Sequence, residues 1–394
     1  MPANPDFSSV HASLQSYIDR DFISGAASVI LKDNQVVDRI NLGLADREKN
    51  IPVQDETIYR IYSNTKIVTS VAALICYERG LYQLDDPIDI YLPQLKNRQA
   101  IKAGAQTASE TEPVKSPPTI RQLFCHNAGF SYGFLLESPL DQLYAAKMIL
   151  DPNASLADMV DKLTDLPLAY QPGARWQYSI ATDILARLVE VWSGDRFEGF
   201  LNKEIFRPLG MKDTGFHVPE DKHHRLAVNY VPTDPLDPMV PGMSPQPDQL
   251  LGSYLAPKAF HSGGGGLVST MDDYLGFIRM IIGNGIYGET QILKPETVQM
   301  MRQNQLRDNI GVQFPTWQMP DTVFGLGLAI KTAPRPGETT AAIGEVHWGG
   351  MAGTHSWMSP ESGIAALVFT QRLPGFWHPF MHEHKKLVYQ AFTS

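Results

Sequence analysis

The chain has little cysteine, an excess of negative over positive charge, and no long hydrophobic run. Two cysteines, Cys76 and Cys125, occur among 394 residues, so a disulfide framework is not expected. The 42 Asp and Glu residues outnumber the 33 Lys and Arg residues and give a net charge of -9. This charge argues against nucleic acid or an anionic membrane surface as the main partner. No stretch has the length of a membrane span, and the N-terminus has no apolar signal region, so we expect a cytoplasmic protein.

Signatures of phosphate and metal sites are also weak. The glycine run 263–266 lacks the Gly-Lys-Ser/Thr ending of a phosphate-binding loop and indicates a flexible turn. His382-Glu383-His384 and His223-His224 could suggest a metal site, but the first lies on a terminal helix with no third ligand nearby. We therefore expect no metal and no cofactor, and the oligomeric state stays open.

The segment from Ile61 to Ile75 contains the strongest candidate nucleophile. Apolar residues recur at helical spacing after Lys66 and the pattern ends at Gly80, so Ser63 is expected at a helix start. Lys66 follows one turn later, and Ser63 is the only serine with a lysine three positions on. A buried lysine of lowered pKa can accept a serine proton, and a helix N-terminus favours an oxyanion. A simple N-cap role for Ser63 is the alternative.

Strand patterns occur at both ends of the chain and helix patterns in the middle. Strands are predicted at 26–31, 36–42, 324–330, 342–349, 354–359 and 364–371. Helices are predicted at 8–22, 119–124, 156–163, 197–209, 272–282 and 379–392. Two more are predicted, one with the apolar run 67–75 that stops at Gly80 and one with Ile184 to Trp192 that ends at Gly194. This order predicts an α+β fold in which the two ends share one antiparallel sheet. We expect a single domain over 1–394, with an α/β lobe of about 1–62 and 320–394 and a helical lobe of about 63–319.

Two further segments could complete a site for acyl transfer. Tyr178 precedes a helix, and it could return a proton to a leaving oxygen if a nearby lysine cation lowers its pKa. A packing role for Tyr178 is the alternative. The glycines of Trp348-Gly349-Gly350 would let a substrate approach the backbone at a strand end, although they could also form a simple bulge. The proline-rich segment 231–248 is predicted to be irregular and to form a wall or lid.

Together, Ser63-x-x-Lys66, Tyr178-Ser179 and Trp348-Gly349-Gly350 resemble the three motifs of the serine β-lactamase-like superfamily, in the branch of family VIII carboxylesterases. His126-Asn127-Ala128-Gly129 resembles the His-x-x-Gly loop of that family. The resemblance implies the penicillin-recognising fold, with Ser63 as nucleophile, Lys66 as base and Tyr178 as proton shuttle. It also implies an oxyanion hole built from the backbone N–H groups of Ser63 and Met351. The residues that it implies in substrate binding are Tyr132, His347, Trp348, Gly349 and Gly350.

Two departures from the β-lactamases of this superfamily favour neutral esters. Ile180 replaces the Asn of Tyr-x-Asn, and Trp348-Gly349-Gly350 replaces Lys-Thr-Gly, so the positive charge that holds a β-lactam carboxylate is missing. Lys331-Thr332-Ala333 lacks the glycine of that motif. We expect a carboxylesterase for small-molecule esters with short to medium acyl groups, acting through an acyl-enzyme, with at most weak cephalosporin hydrolysis. The alternatives are an acyltransferase with the same Ser-Lys-Tyr site, a peptidase, and a non-catalytic binding protein of this fold.

Overall fold

A computed structural model describes residues 5–135, 138–234, 237, 239–248, 251–315, 319–335, 338–375 and 378–393. The strands, numbered along the chain, are β1 (Gly25–Lys32), β2 (Gln35–Asp46), β3 (Ile51–Pro52), β4 (Ile58–Arg60), β5 (Gln99–Ile101), β6 (Thr111–Pro113), β7 (Tyr230–Pro232), β8 (Met243–Pro245), β9 (Val268–Thr270), β10 (Ile286–Tyr287), β11 (Thr290–Gln291), β12 (Thr322–Phe324), β13 (Ala329–Lys331), β14 (Val346–Gly350), β15 (Thr354–Ser359) and β16 (Ile364–Phe369). The helices are α1 (Ser8–Asp19), α2 (Thr65–Glu78), α3 (Ile120–Phe124), α4 (Leu140–Ala146), α5 (Leu156–Lys162), α6 (Ala181–Ser193), α7 (Phe197–Leu201), α8 (Arg207–Leu209), α9 (Met271–Ile282), α10 (Pro295–Met301) and α11 (Phe380–Ala391).

The centre of the fold is an eight-stranded sheet in the order β12-β13-β14-β15-β16-β1-β2-β3. Each neighbouring pair is antiparallel, and β16 joins the C-terminal strands to β1, with Ala27 opposite Phe369 and Lys32 opposite Ile364. Strands from the two ends of the chain therefore form one continuous sheet, as the sequence predicts. The α+β fold class is confirmed.

Helices cover both faces of this sheet, so its central strands are buried. Every residue of β15 and β16 is buried. Alternate residues of β1 point to opposite faces. Ile30 packs with α1 and α11 in one apolar cluster, whereas Val29 and Leu31 belong to the main core with α2. The twelve residues Thr65–Cys76 of α2 are all buried, because this helix lies between the sheet and α6.

Two sequence predictions of local structure are wrong. The predicted strand 324–330 is two strands, because the chain reverses at Gly325 and Gly327, where the N–H of Gly325 donates to the carbonyl of Leu328 at 2.8 Å. Gly327 has φ +90°, a backbone conformation that disfavours other residues. The segment 231–248 is not wholly irregular, since β7 and β8 pair at its ends. A short ribbon tolerates proline at positions where no N–H is needed. Its residues 235, 236 and 238 lie outside the described part of the chain.

One helix departs from the predicted division into lobes. Helix α9 falls within the range assigned to the helical lobe, but it packs against the sheet, where the ring of Tyr274 lies 5.7 Å from that of Phe369 in β16. Over the described ranges, no helix is both long and apolar enough to cross a membrane.

Candidate active site

Ser63 lies in a short 3-10 turn, Tyr62–Asn64, between β4 and α2. Tyr62 has φ +41°, a strained conformation for a residue with a side chain, and such strain is common beside functional residues. The Asn64 side chain donates to the Thr354 carbonyl at 3.0 Å and accepts from the Ser356 hydroxyl at 3.0 Å. These bonds attach the turn to β15, so the position of Ser63 is set by the sheet as well as by its own helix.

Lys66 approaches the Ser63 hydroxyl from the first turn of α2. Its Nζ lies 3.3 Å from Ser63 Oγ, 3.0 Å from the Tyr132 hydroxyl and 2.6 Å from the Gly264 carbonyl oxygen. Burial lowers the pKa of Lys66 from 10.5 to about 7, although the charge of Asp183 raises it. A substantial fraction of Lys66 is thus uncharged near neutral pH and can accept a proton from Ser63.

Tyr178 contacts Ser63 from the other side. Its hydroxyl donates to Ser63 Oγ at 2.7 Å and accepts from the Trp348 indole N–H at 3.3 Å. The expectation that a lysine cation lowers the pKa of Tyr178 is not met, because burial dominates and raises that pKa well above 10. Tyr178 therefore carries its proton at neutral pH and acts as a donor to the serine oxygen.

An aromatic shell surrounds the Tyr178 ring and limits access of water to it. Ring centroids lie 4.9 Å away for His126, 5.2 Å for Tyr132, 5.4 Å for Phe314, 5.4 Å for Trp348 and 6.1 Å for Trp176. Burial and the charge of Lys66 hold the pKa of His126 well below 6.5, so its ring is neutral. Electrostatic interactions are stronger in such a dry environment than in water. Phe314 and Trp176 were not predicted as site residues, although Trp176 lies only two positions before Tyr178.

The end of β14 lies against the segment that carries Ser63. A β-carbon added at Gly350 would lie 2.3 Å from the Ile61 carbonyl oxygen and 2.3 Å from Thr354 Oγ1, so only glycine allows this approach. Strand β14 pairs with β13 at Val346 and His347 only, which leaves its edge open from Trp348 onward within the described pairings. Gly349 lies on this stretch, and Met351 follows directly in the turn to β15. An extended substrate could pair with this edge.

His347, predicted as a substrate-binding residue, has its side chain on the face of the sheet opposite Ser63. His347 stands opposite Trp357, whose ring stacks on Tyr389 of α11 at 4.7 Å. Trp348 stands opposite Ser356, which bonds to Asn64 beside the nucleophile. Because successive residues of a strand face opposite sides, His347 points toward α11, away from Ser63.

The structure brings together the predicted Ser63, Lys66, Tyr178, Tyr132 and Trp348. Tyr132 bonds to Lys66 and is buried, while the ring of Phe134, stacked 4.8 Å away, is 43% exposed. Sequence reasoning missed Asp183 and Gly264, which lie beside Lys66. A charged residue inside the apolar pattern of α6 was the available signal for Asp183.

A second serine motif occurs in the chain, Gly129-Phe130-Ser131-Tyr132-Gly133, which matches the Gly-x-Ser-x-Gly pattern of α/β-hydrolases. That pattern requires an exposed serine between a strand and a helix. Ser131 is completely buried in a loop, where its hydroxyl donates to Asp141 and accepts from Gln177 at 2.7 Å. Ser131 is therefore a structural residue.

Neither Ile180 nor Lys331 supplies a polar side-chain contact to the site. Ile180 is completely buried in the core. Lys331, from the incomplete Lys-Thr-Ala motif, forms an ion pair with Glu338 and lies among the charges near His347 on the α11 side of the sheet.

Comparisons with known proteins agree with this architecture. Residues 12–389 match the family model described as Beta-lactamase. An uncharacterized protein of Mycobacterium tuberculosis is 31% identical over 92% of this chain and 89% of its own length. Esterase EstB of Burkholderia gladioli is 30% identical over 93% of this chain and 91% of its own. The solved structure of EstCE1, a hydrolase with promiscuous acyltransferase activity, has a TM-score of 0.79 and 26% identity, covering 96% of this chain and 97% of that chain.

Proposed function

The chain belongs to the beta-lactamase family, as a serine hydrolase or acyltransferase, and from this premise we propose that it is a serine carboxylesterase acting on short to medium acyl esters. The observation that supports this most is the position of Ser63 Oγ, 3.3 Å from Lys66 Nζ and 2.7 Å from the Tyr178 hydroxyl. The serine is partly exposed whereas both partners are buried, so a substrate can reach the nucleophile.

Acylation uses the two partners in sequence. Ser63 Oγ attacks the ester carbonyl carbon, and its proton passes to the uncharged amine of Lys66. The N–H groups of Ser63 and Met351 are proposed to stabilise the negative carbonyl oxygen of the tetrahedral intermediate. When the C–O bond of the leaving group breaks, the Tyr178 hydroxyl gives its proton to the departing alcohol, and Lys66 replaces that proton. The products of this half-reaction are the alcohol and the Ser63 acyl-enzyme.

Deacylation reverses these transfers with water in place of the alcohol. A water proton passes to the Tyr178–Lys66 pair as the water oxygen attacks the acyl carbonyl, and Ser63 regains a proton as its ester bond breaks. The net reaction converts one ester and one water into an acid and an alcohol.

The surroundings of the site support a neutral substrate. Trp348 occupies the motif position where a β-lactamase carries lysine, and Ile180 cannot bond to a substrate amide. The aromatic shell around Tyr178 favours apolar acyl or alcohol groups. Esterase EstB, a relative over most of the chain, supports the same substrate class. We expect weak cephalosporin hydrolysis at most.

A product analysis separates hydrolysis from acyl transfer. Nitrophenyl esters of two to twelve acyl carbons would be incubated with the protein, with and without a primary alcohol as competing acceptor. We expect free acid as the main product in water, fastest for the shorter chains. The description of EstCE1 favours some transfer as well. Transfer of most acyl groups to the alcohol at millimolar concentration would establish an acyltransferase instead, and failure of every ester to acylate Ser63 would favour a binding protein.

The rate should fall on the acid side of neutrality. Lys66 must be uncharged to accept the Ser63 proton, and its pKa in the folded protein is about 7. Below that pH, kcat/KM should therefore fall about tenfold per pH unit. A plot of log kcat/KM against pH from 5 to 9, for a substrate without ionisable groups, measures this limb. A limb near pH 4 would assign the base to a carboxylate.

A further inference from the structure

Asp183 is a buried carboxylate that the reaction described above does not use. It lies in the first turn of α6, five residues after Tyr178, and it is completely buried. Its Oδ1 atom accepts a hydrogen bond from the Ser262 hydroxyl at 2.6 Å and from the Gly264 N–H at 3.0 Å. Burial of a charge is costly unless the charge is paired and hydrogen-bonded.

Gly264 connects this carboxylate to the base. Its N–H donates to Asp183, and its carbonyl oxygen accepts from Lys66 Nζ at 2.6 Å. A β-carbon at this position would lie 2.5 Å from Asp183 Oδ2 and 2.7 Å from the Tyr132 hydroxyl. The peptide is thus held between Asp183 and Lys66 with no room for a side chain.

The geometry points to Asp183 as a positioning residue that fixes the Gly264 carbonyl on Lys66 Nζ and places a buried carboxylate close to this base. The inference rests on the proposed function, in which Lys66 accepts the Ser63 proton. Asp183 makes no contact with Ser63 and acts only through Lys66 and the Gly264 peptide.

Burial opposes the charge on Asp183, whereas the charge of Lys66 and the hydrogen bonds from Ser262 and Gly264 stabilise it. Asp183 Oδ1 is the acceptor in both of its hydrogen bonds, and accepting hydrogen bonds stabilises the ionised form of a carboxyl group. Its second oxygen, Oδ2, is buried with no hydrogen-bond partner among the described residues, and burial raises the pKa of this carboxyl above 3.8. The titratable groups that face this pair are Tyr132, Tyr178 and His126. The two tyrosines have pKa values raised by burial and His126 has a lowered one, so all three are neutral at pH 7 and Asp183 is the charge that acts on Lys66.

The sign of its effect follows from this charge. Burial lowers the pKa of Lys66, and Asp183 raises it, with a net value of about 7. Removal of the negative charge should lower that pKa further, so Lys66 would stay uncharged to a lower pH. The acid limb of kcat/KM should then move to lower pH.

Asp183→Asn tests the charge, because asparagine keeps an oxygen that can accept from Ser262 and Gly264. We expect the acid limb to move down by roughly 0.5 to 1 pH unit, with kcat at pH 8.5 within about threefold of the parent. A merely structural role would leave the limb where it is. An unmoved limb in a folded, active Asp183→Asn variant would overturn the inference.

Asp183→Ala tests the positioning, because it leaves the Gly264 N–H without its acceptor. We expect kcat at pH 8.5 to fall at least about tenfold while KM stays within about twofold, since Lys66 loses its orientation but the substrate surface is unchanged.

A matched control is Glu345→Gln, which removes another completely buried carboxylate, one bound to Lys385 on the opposite face of the sheet.

The control separates a local effect from general destabilisation. Glu345→Gln should lower the thermal midpoint without moving the acid limb. If it moves the limb as much as Asp183→Asn does, the effect is not local and the inference is overturned. Absence of ester turnover in the parent would overturn the proposed function together with the inference, whereas parent turnover with an unmoved limb would overturn the role of Asp183 alone.

Discussion

Replacing Ser63 with alanine will lower ester turnover by at least about 10⁴-fold and abolish the covalent adduct with a fluorophosphonate. The serine oxygen is the atom on which Lys66 and Tyr178 converge, at 3.3 Å and 2.7 Å, and alanine offers neither a nucleophile nor a proton to transfer. Intact-protein mass spectrometry after incubation with the probe, with nitrophenyl ester kinetics in parallel, measures both effects.

Ser70→Ala provides a control on the same helix. Ser70 is buried and its hydroxyl has no hydrogen-bond partner within the described part of the chain. We expect this variant to keep its adduct and to retain turnover within about twofold. A second control, Ser131→Ala, tests the Gly-x-Ser-x-Gly segment and should also keep the adduct. An adduct that persists in Ser63→Ala would assign the nucleophile to another residue.

Replacing Lys66 with methionine will lower kcat by about 10³-fold, the range typical for loss of a general base, with a smaller change in KM. Methionine matches the apolar part of lysine as far as Cε, so it fills most of the same buried space but accepts no proton. Pre-steady-state measurement of nitrophenol release would show the loss in the acylation step. A kcat within tenfold of the parent would exclude Lys66 as the base.

The stability of the Lys66→Met variant gives an independent check on the charge of the lysine. The pKa of Lys66 is lowered from 10.5 to about 7 in the folded protein. Between these values the unfolded chain binds one more proton than the folded one, so the parent gains stability as the pH rises through this window. The methionine variant lacks that gain. The thermal midpoint of the variant minus that of the parent should therefore decrease from pH 7 to pH 9. If this difference stays constant over that range, the lowered pKa of Lys66 is contradicted.

The parts of the site that follow local sequence rules could be predicted, and those that depend on long-range contacts could not. Ser63 and Lys66 are one helical turn apart, and the apolar pattern places them at a helix start. Asp183 and Gly264 are separated by 81 residues, and no sequence pattern indicates that they meet at Lys66. The predicted pKa shift of Tyr178 had the wrong direction because the degree of burial is a tertiary property.

Errors in the strands have a similar origin. The motif at 347–350 indicates a strand end, but the face on which His347 lies depends on the register of β14 with β15. The pattern at 324–330 is apolar throughout, and it does not reveal the tight turn between Gly325 and Leu328, in which Gly327 has φ +90°. The α+β fold was predictable because strand patterns cluster at both chain ends, and it is confirmed by the sheet and by the family match.

The bond between Asn64 and Thr354 has a consequence for biosynthesis. It joins residues 290 positions apart, and the nucleophilic turn depends on it for its geometry. A nascent chain on the ribosome contains Ser63, Lys66 and Tyr178 long before β15 is translated. A contact of such sequence separation forms only after a long loop has been closed. The turn that carries Ser63 therefore reaches its final geometry only after β15 has been translated and has joined the sheet.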